Sequence, residues 1–253
     1  MAVLPPITTV PAVGSTNEEV LAWGRAGAPH GVALRAERQL AGRGRRGHAW
    51  SSPSGNLYLS VLLRPPVAPT RLSGLAAACG LGAMRGLAAT GVPDETSLKW
   101  PNDLLARGRK LAGILVEAAR DDAGETFAVC GIGVNVASAP CELAAISLAE
   151  LSPAAPSPAA LADALRNGIL ERVDAWAAGL RALGEKDGPL APVLDDYLAH
   201  LAWLGEPVVA RSPAGDLLCT GRLATIDTWG RAVLETPAGT RFFSAEEASL
   251  RPA

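Results

Sequence analysis

The alternation of hydrophobic and polar positions predicts strands and helices in turn over the first two hundred residues. The continuous apolar run LYLSVLLR at 57–64 predicts a buried strand, and the alanine-rich segment 70–90 predicts a helix. Two more helices are expected at about 159–182 and 189–201. The segment 137–158 between them and the preceding strand is rich in Pro, Ala and Ser, and is expected to be loop-like.

Shorter strand signals, separated by turn signals, occupy the rest of this region. We predict strands at 32–37, 97–101, 103–106, 110–119 and 126–136. The third and fourth of these are expected to form a hairpin across Arg107 and Gly108. Near the start of the chain, GSTNEEVLAW predicts a helix in which Ser15 and Glu18 have the spacing of a capping box.

The pattern changes near Gly205, where apolar runs become short and turns frequent. VVAR, LLCTGRLATID, RAVLE and TRFF predict short strands separated by SPAGD, TWG and PAG. Several short strands with turn signals between them are typical of a small barrel. We therefore divide the chain into a large domain, 1–204, and a small module, 205–253.

Composition and charge exclude several classes of protein. The chain has 253 residues and a net charge of −2, so no bulk electrostatic attraction draws it to nucleic acid or to an anionic membrane. The four cysteines, Cys79, Cys130, Cys141 and Cys219, are widely spaced without a CxxC pair, which favours reduced thiols and a cytoplasmic protein. The N-terminus lacks the features of a signal peptide, and we expect no membrane-spanning segment.

Candidate chemistry is concentrated in the stretch QLAGRGRRGHAW at 39–50. Three arginines alternate with three glycines, and Trp50 ends the stretch. Glycine lets a ligand approach the main chain, and arginine binds phosphate through two-point contacts. The pattern therefore indicates a loop that folds over an anion with an aromatic part, the alternative being a solvated basic loop. It is not a Walker loop, because His48 and Ala49 stand where Lys and Ser or Thr are required.

Rare residue types also fall into compact motifs. The chain contains three lysines and a single glutamine, yet Lys99, Lys110 and Gln39 all belong to glycine-rich or turn motifs. In GRKLAGILVE, Lys110 enters an apolar strand, where its charge is costly unless it meets an anion or reaches solvent. Gly113 would allow a ligand to approach the strand backbone.

Three other polar residues have both a functional and a purely structural interpretation. Asn102 and Asp103 of KWPNDLL either face the site beside Lys99 or make the turn. Asn135, at the end of a buried strand, suits a phosphate or a metal-bound water, but it could equally form a turn. The histidines show no ligand spacing, so we expect no protein-bound metal.

Taken in order, these motifs resemble those of the biotin protein ligases, the enzymes that attach biotin to carboxylase carrier proteins. The matching pieces are GSTN, QLAGRGRRGHAW, SPSGNLYLS, KWPNDLL, GRKLAGILVE and GIGVNV, which span the first half of the chain in register. The resemblance implies an α/β fold of the α+β kind, with a mixed-sheet catalytic domain that binds biotin and ATP, followed by a small SH3-like β-barrel. It also implies a monofunctional member without a DNA-binding domain, because GSTN begins at residue 14.

The resemblance implies roles for individual residues. Catalytic roles fall to Lys110, Arg43 and Asp103. Biotin would be bound by Ser15, Thr16, Asn17, Gln39, Arg43, Gly44, Arg45, Lys110 and Gly113. ATP would be bound by Arg43, Arg45, Trp50, Lys110, Asn135 and Arg251.

The implied reaction has two steps, and two other functions remain as alternatives. Biotin is activated by ATP as biotinyl-5′-AMP, with Mg²⁺ carried by the ATP phosphates, and is then transferred to a lysine of a biotin carboxyl carrier protein. We expect a monomer or homodimer that binds no specific DNA and no membrane. The nearest alternative is a lipoate or octanoate ligase or transferase of the same fold, and a remote one is a nucleic-acid-binding module. The second alternative needs aromatic side chains for base stacking, but the chain has only three Phe and two Tyr, and none of them lies in the stretch 39–50.

Overall fold

The structure is a computed structural model that describes residues 4–92, 95–140, 144–184 and 186–253. The α-helices are α1 Thr16–Arg25, α2 Leu75–Ala89, α3 Leu148–Leu151, α4 Pro158–Ala182 and α5 Leu194–Ala199. The strands of the first part are β1 Thr8–Val10, β2 Ala33–Ala36, β3 Leu57–Leu63, β4 Thr96–Lys99, β5 Asp103–Ala106, β6 Arg109–Arg120 and β7 Thr126–Val134. Those of the second part are β8 Pro207–Arg211, β9 Leu217–Ile226, β10 Ala232–Thr236, β11 Gly239–Phe243 and β12 Ser249–Pro252.

The first seven strands form one mixed sheet in the order β1-β2-β3-β7-β6-β5-β4. β1 and β2 pair in parallel, and the other neighbours pair antiparallel. Helix α1 covers part of one face, where Val20 and Leu21 meet Leu62 and Phe127 in a small apolar cluster. The larger helices α2 and α4 lie on the opposite face, over the alternate residues of β3 and β7. The rest of the α1 face is left for the site.

Close backbone contact joins α2 to α4. A Cβ on Gly82 would lie 2.6 Å from the carbonyl oxygen of Gly168, and a Cβ on Gly168 would lie 2.4 Å from that of Gly82. By length and composition the segment Pro69–Ala89 could cross a membrane, contrary to the expectation that no segment could. However, 67% of its apolar window is buried inside the structure, as in the core helix of a globular domain.

The second sheet contains the five antiparallel strands of the C-terminal module, in the order β11-β10-β9-β8-β12. It confirms the expected series of short strands after Gly205. The module is attached to the segment after β4 by a hydrogen bond of 3.0 Å from Trp100 Nε1 to the Gly230 carbonyl. The domain boundary that we place at residue 204 lies between the two sheets and stays a prediction.

Most predicted elements are present, and five details differ. The helix predicted at 189–201 is a 3-10 turn, Ala191–Val193, followed by the short helix α5. Strands β1 and β12 were not predicted as strands, since three or four residues give no readable period. The segment expected to be loop-like contains helix α3, which a capping box of Ser147 and Glu150 begins. Conversely, the capping box predicted for α1 is wrong, because Ser15 makes no side-chain cap bond and Glu18 pairs with Arg43 instead.

The cysteine prediction is confirmed for two described residues. Cys79 and Cys130 are free thiols and fully buried, whereas Cys219 is a free thiol that is only half-buried. Burial, reinforced by the neighbouring Cys130 thiol, raises the pKa of Cys79, so this side chain stays protonated. Cys141 lies outside the described residues.

Candidate active site

A cavity of about 930 Å³ opens between the α1 face of the large sheet and the C-terminal module. It is lined by every residue that sequence analysis placed in the site: Ser15, Thr16, Asn17, Gln39, Arg43, Gly44, Arg45, Trp50, Asp103, Lys110, Gly113, Asn135 and Arg251. The structure thus brings together residues from both ends of the chain. Their individual roles stay predictions.

Cross-strand rows of small and polar residues explain why the cavity lies here. Asp103, Gly113, Gly133 and Tyr58 are successive partners across β5, β6, β7 and β3, and therefore share one face of the sheet. Two glycines in the middle of this row remove the side chains that would otherwise fill the space. Tyr58 closes the row, and its hydroxyl donates a hydrogen bond of 2.7 Å to the Pro53 carbonyl.

The indole of Trp50 lies against this glycine surface. A Cβ on Gly113 would lie 2.7 Å from Trp50 Cζ3, and a Cβ on Gly133 would lie 2.6 Å from Trp50 Nε1. The ammonium of Lys110 is 5.1 Å from the centre of the same ring, a cation–π distance. Gly113 was predicted to let a ligand approach the strand, and in the structure it lets Trp50 approach.

A network of hydrogen bonds forms a polar pocket at the N-terminus of α1. Gln39 Oε1 accepts from the backbone amide of Thr16 at 2.9 Å and from its hydroxyl at 3.1 Å. The Thr16 and Ser60 hydroxyl oxygens are 2.8 Å apart, and Ser60 Oγ lies 2.6 Å from Asn17 Oδ1. Ser15 is buried beside them and starts the helix without capping it. These groups offer several fixed donors and acceptors in a small, largely buried volume.

Lys110 is held in the cavity by Asp103. Its ammonium lies 2.7 Å from Asp103 Oδ1, while Lys99 Nζ lies 3.3 Å from Asp103 Oδ2. Lys110 points to the same face as Gly113, three residues away, because the pairing of β5 with β6 contains a bulge that leaves Leu111 without an opposite partner. Without that bulge, strict alternation would turn Lys110 to the other face.

The two asparagines of the site have structural contacts. Asn135 Nδ2 donates to the carbonyl oxygens of Lys110 at 3.2 Å and Ile146 at 3.3 Å, so it fixes the backbone that carries Lys110. Asn102 Nδ2 donates to the Ile114 carbonyl at 2.7 Å, which favours the structural interpretation of this residue. Both residues still line the cavity.

The arginine loop, residues 42–50, folds back on itself as a short hairpin. Gly44 N donates to the His48 carbonyl at 2.7 Å and Trp50 N donates to the Gly42 carbonyl at 2.9 Å. At its tip Arg46 and Gly47 both have left-handed backbone conformations, with φ of 56° and 75°. A glycine at the second of these positions avoids the steric cost of that conformation.

The three arginines of the loop have different partners. Arg43 forms ion pairs with Glu18, at 2.8 Å, and with Glu117. Arg45 NH2 donates to the Ala245 carbonyl at 2.8 Å and pairs with Glu246 at 2.9 Å. Arg46 donates to backbone carbonyls of the same turn in the C-terminal module. The loop therefore bridges the two parts of the chain.

The cavity is strongly basic although the chain is not. Among the residues that the structure describes, its lining contains seven basic side chains, Arg43, Arg45, Arg46, Lys99, Lys110, Arg211 and Arg251, and one acidic side chain, Asp103. Three carboxylates outside the lining, Glu18, Glu117 and Glu246, pair with Arg43 and Arg45. Since the whole chain has a net charge of −2, this excess is local. Clefts lined by one sign of charge concentrate ligands of the opposite sign, so the site suits an anion.

Several residues that line the site or contact its lining residues were not assigned to it from the sequence, among them Ser60, Glu117, Arg211 and Trp203. Ser60 and Glu117 were inside quoted motifs but were not assigned. Strand alternation already places Glu117 on the face of Gly113, and the structure shows that it contacts Asn17 and Arg43 there. Arg211 and Trp203 line the cavity from segments without any motif. Among the described residues, no three His, Cys, Asp or Glu side chains are grouped so that they could hold a metal ion.

Comparison with known proteins agrees with this geometry. The sequence profile of the biotin/lipoate A/B protein ligase family matches residues 12–135. The biotin–[acetyl-CoA-carboxylase] ligase of Mycobacterium tuberculosis is 37% identical over 246 residues, which cover 94% of this chain and 86% of that protein. The enzyme of the same name from Paracoccus denitrificans is 36% identical over 246 residues, covering 92% and 95%.

A solved structure shows the same architecture over the full length. The biotin protein ligase of Aquifex aeolicus, in complex with biotin and ATP, superposes with a TM-score of 0.80 at 28% identity, and covers 99% of this chain and 100% of its own. Sequence and fold therefore lead to one conclusion: the chain belongs to the biotin protein ligases, within the biotin/lipoate A/B protein ligase family.

Proposed function

We propose that this chain activates biotin with ATP to give biotinyl-5′-AMP and transfers the biotinyl group to a lysine of a biotin carboxyl carrier protein. The observation that carries the proposal is the position of Lys110, held by Asp103 in a basic cavity that also contains the polar pocket and the arginine loop. A site that joins a carboxylate to a nucleotide must bring two anions together. Fixed cations offset their repulsion.

The polar pocket suits the ring of biotin. The ureido group of that ring presents two N–H donors and one carbonyl acceptor, so it needs both kinds of partner. Ser15, Thr16, Asn17 and Gln39 provide hydroxyl and amide groups that can act either way. A buried polar site discriminates against ligands that leave its groups unpaired. The dithiolane ring of lipoate has no N–H donor, which is why we favour biotin over lipoate or octanoate.

Activation transfers an adenylyl group. A carboxylate oxygen of biotin attacks the α-phosphorus of ATP, and pyrophosphate leaves as the acyl–phosphate bond forms. The ammonium of Lys110, at the edge of the glycine surface, is the cation placed to stabilise the charge that these groups share. Asp103 orients Lys110, and Asn135 fixes its backbone. Trp50 supplies an aromatic face for the adenine.

In this proposal Mg²⁺ enters the site bound to the phosphates of ATP. Mg²⁺ is usually bound by one or two carboxylates together with substrate phosphates, and keeps several of its waters. Asp103, the one carboxylate in the described part of the lining, already accepts from two lysines, which leaves the phosphates as the main ligands. Arg45 and Arg251, on the loop and the C-terminal module, are the cations proposed for the remaining phosphate charge.

Transfer completes the reaction. The neutral amine of a carrier lysine attacks the acyl carbon of biotinyl-5′-AMP, and AMP leaves while an amide bond forms. Until then the arginine loop must keep water from the activated acyl group. We also expect the chain to act in the cytoplasm as a monomer or homodimer and to bind neither operator DNA nor a membrane, and these points stay predictions.

The test is direct biotinylation of a carrier. The purified chain is mixed with biotin, ATP, Mg²⁺ and a biotin carboxyl carrier domain, and the mass of the carrier is followed. The expected result is addition of one biotinyl group, absent when the acceptor lysine is replaced by arginine. Modification with lipoate in place of biotin, or no modification at all, would contradict the proposal.

A further inference from the structure

Glu117 joins the polar pocket to the arginine loop. It lies on β6 two pleats beyond Gly113 and on the same face of the sheet. Its Oε2 accepts a hydrogen bond of 2.9 Å from Asn17 Nδ2, and its Oε1 forms the ion pair with Arg43. A single carboxylate thus serves two residues that both line the cavity.

The Asn17 end of this connection is buried and hydrogen-bonded. Asn17 is buried, and its Oδ1 lies 2.6 Å from Ser60 Oγ in the polar pocket. It also packs on Gly131, where a Cβ would come within 2.1 Å of Asn17 Oδ1. A change at Glu117 therefore reaches the polar pocket through the Asn17 amide, which is hydrogen-bonded to Glu117 on one side and lies against Ser60 on the other.

The Arg43 end fixes one side of the loop. Both terminal nitrogens of its guanidinium are engaged by carboxylates, one by Glu117 and the other by Glu18. By contrast, Arg45 is held by a neutral carbonyl and by Glu246, whose side chain is 78% exposed. Exposed ion pairs contribute little. Arg45 has one carboxylate partner, which is mostly exposed, whereas Arg43 has two carboxylate partners, of which Glu117 is only 26% exposed, although the Arg43 side chain itself is more exposed than that of Arg45, at 37% against 21%.

We propose that Glu117 is a positioning residue that anchors the arginine loop to the polar pocket through Arg43. The inference rests on the proposed function, and it assigns different tasks to the two arginines. Arg43, to which the family resemblance assigns catalytic and ligand-binding roles, here anchors the loop, and Arg45 is the arginine that is released to bind the phosphate of the intermediate. Because Asn17 and Arg43 share one carboxylate, the geometry of the pocket and the position of the loop depend on each other.

The Arg43–Glu117 pair differs from the Arg43–Glu18 pair in the burial of its carboxylate. The Glu117 side chain is 26% exposed and that of Glu18 is 53% exposed, although both bind Arg43. Glu117→Gln keeps the shape but leaves one acceptor oxygen for two donors, the Asn17 amide and the Arg43 guanidinium. Glu18→Gln is the matched control because it removes a charge from the same arginine without touching Asn17.

The experiment compares Glu117→Gln, Arg43→Gln and the double variant with Glu18→Gln and with a remote control, Glu235→Gln, which breaks the exposed pair with Arg222. Hydrogen exchange of residues 42–50 in the ligand-free protein reports the anchoring without any reaction. The dissociation rate of biotinyl-5′-AMP and the KM for biotin report its consequences. If Glu117→Gln fails to fold, Arg43→Gln tests the same contact from the loop.

We expect Glu117→Gln to speed exchange of the loop amides and to raise the dissociation rate of biotinyl-5′-AMP roughly tenfold or more, as for loss of a charged hydrogen bond. It should also raise the KM for biotin, since Asn17 loses its partner. The double variant should retain biotinyl-5′-AMP no worse than the worse single variant. Unchanged loop exchange, an effect of Glu18→Gln as large as that of Glu117→Gln, or additive effects on retention would overturn the proposal. If the wild-type protein catalyses no biotin-dependent reaction, the proposed function fails, and loop exchange alone still decides the anchoring.

Discussion

Lys110 and Asp103 form an ion pair of 2.7 Å inside a cavity that has no other carboxylate in its described lining. The same Asp103 also accepts from Lys99 at 3.3 Å. One carboxylate therefore pairs with two ammonium groups, and the cluster of Asp103, Lys110 and Lys99 keeps a net positive charge facing the cavity. This arrangement holds the Lys110 ammonium in place and leaves it attractive to an anion.

Lys110→Ala should abolish most adenylation without unfolding the protein. Its strand packs through Leu111 and Ala112, which the change does not touch, while the reaction centre loses its counter-charge. The expected loss is about 2–4 kcal/mol of transition-state stabilisation. Pyrophosphate exchange and melting temperature are measured together, with the exposed Lys186→Ala as control. An unfolded variant, or near-normal exchange, would show that Lys110 has another role.

Arg45→Ala should weaken retention of biotinyl-5′-AMP more than binding of free biotin. Free biotin offers only a carboxylate, whereas the adenylate adds a phosphate that an arginine fork matches. The dissociation rate of the adenylate and the Kd for biotin are compared with those of wild type. Arg222→Ala, which breaks an exposed pair in the C-terminal module, is the control. Equal losses for both ligands would mean that Arg45 is an ordinary ligand contact.

Much of the fold and of the site could be predicted from the sequence because the same motifs contain strand and turn signals and the polar residues of the site. The apolar run of β3 and the hairpin across Arg107 and Gly108 have unmistakable local patterns. Ser60, Glu117 and Arg211 could not be assigned in the same way. Alternation along β6 places Glu117 on the face of Gly113, but its contacts with Asn17 and Arg43 depend on tertiary packing. The positions of Ser60 and Arg211 depend on strand register and on the packing of the C-terminal module, which are long-range properties that no local pattern contains.

The bulge in β6 is another feature beyond sequence reasoning. Alternation along GRKLAGILVE places Lys110 and Gly113 on opposite faces, whereas the structure places both in the cavity. The prediction that both belong to one site came from the family resemblance. The physical cause of the shared face is Leu111, which has no partner on β5 and shifts the register by one residue.

Gly133→Val should impair nucleotide binding by displacing Trp50. A Cβ at this position would come within 2.6 Å of the indole, so the ring would have to leave the glycine surface. We expect a KM for ATP raised about tenfold, of the size that loss of an aromatic stacking contact produces. Gly184→Ala, where the nearest atom to the new Cβ is 3.6 Å away, is the control. An unchanged KM for ATP would show that Trp50 does not stack on the adenine.

Acidification should destabilise the protein through His30. Its Nδ1 accepts a hydrogen bond of 2.9 Å from the backbone amide of Arg64, and Nε2 lies 3.6 Å from Asp174. Burial lowers the pKa of His30 below its ordinary value of 6.5, against the weaker opposing effect of Asp174. A proton on Nδ1 would break the bond to Arg64, so the folded state favours neutral imidazole.

The sign of the effect follows from proton uptake. Between the lowered folded pKa and 6.5, the unfolded chain binds more protons at His30 than the folded chain does. Stability therefore rises with pH across this window, and falls as the pH drops below about 6.5. The free energy of unfolding is measured with urea between pH 5 and 7.5. Its dependence on pH should be weaker for His30→Gln, which keeps an acceptor for Arg64, than for wild type. An identical slope in both proteins would exclude His30 as the cause.

The most direct test of the assigned chemistry is ATP–pyrophosphate exchange, because it isolates activation from transfer and needs no carrier. The purified chain is incubated with ATP, Mg²⁺ and labelled pyrophosphate, with biotin, with lipoate, or with neither acid. We expect label to enter ATP only when biotin is present, and Lys110→Ala to lose this exchange. Exchange with lipoate but not with biotin, or exchange that ignores both acids, would contradict the assignment of this chain as a ligase that activates biotin.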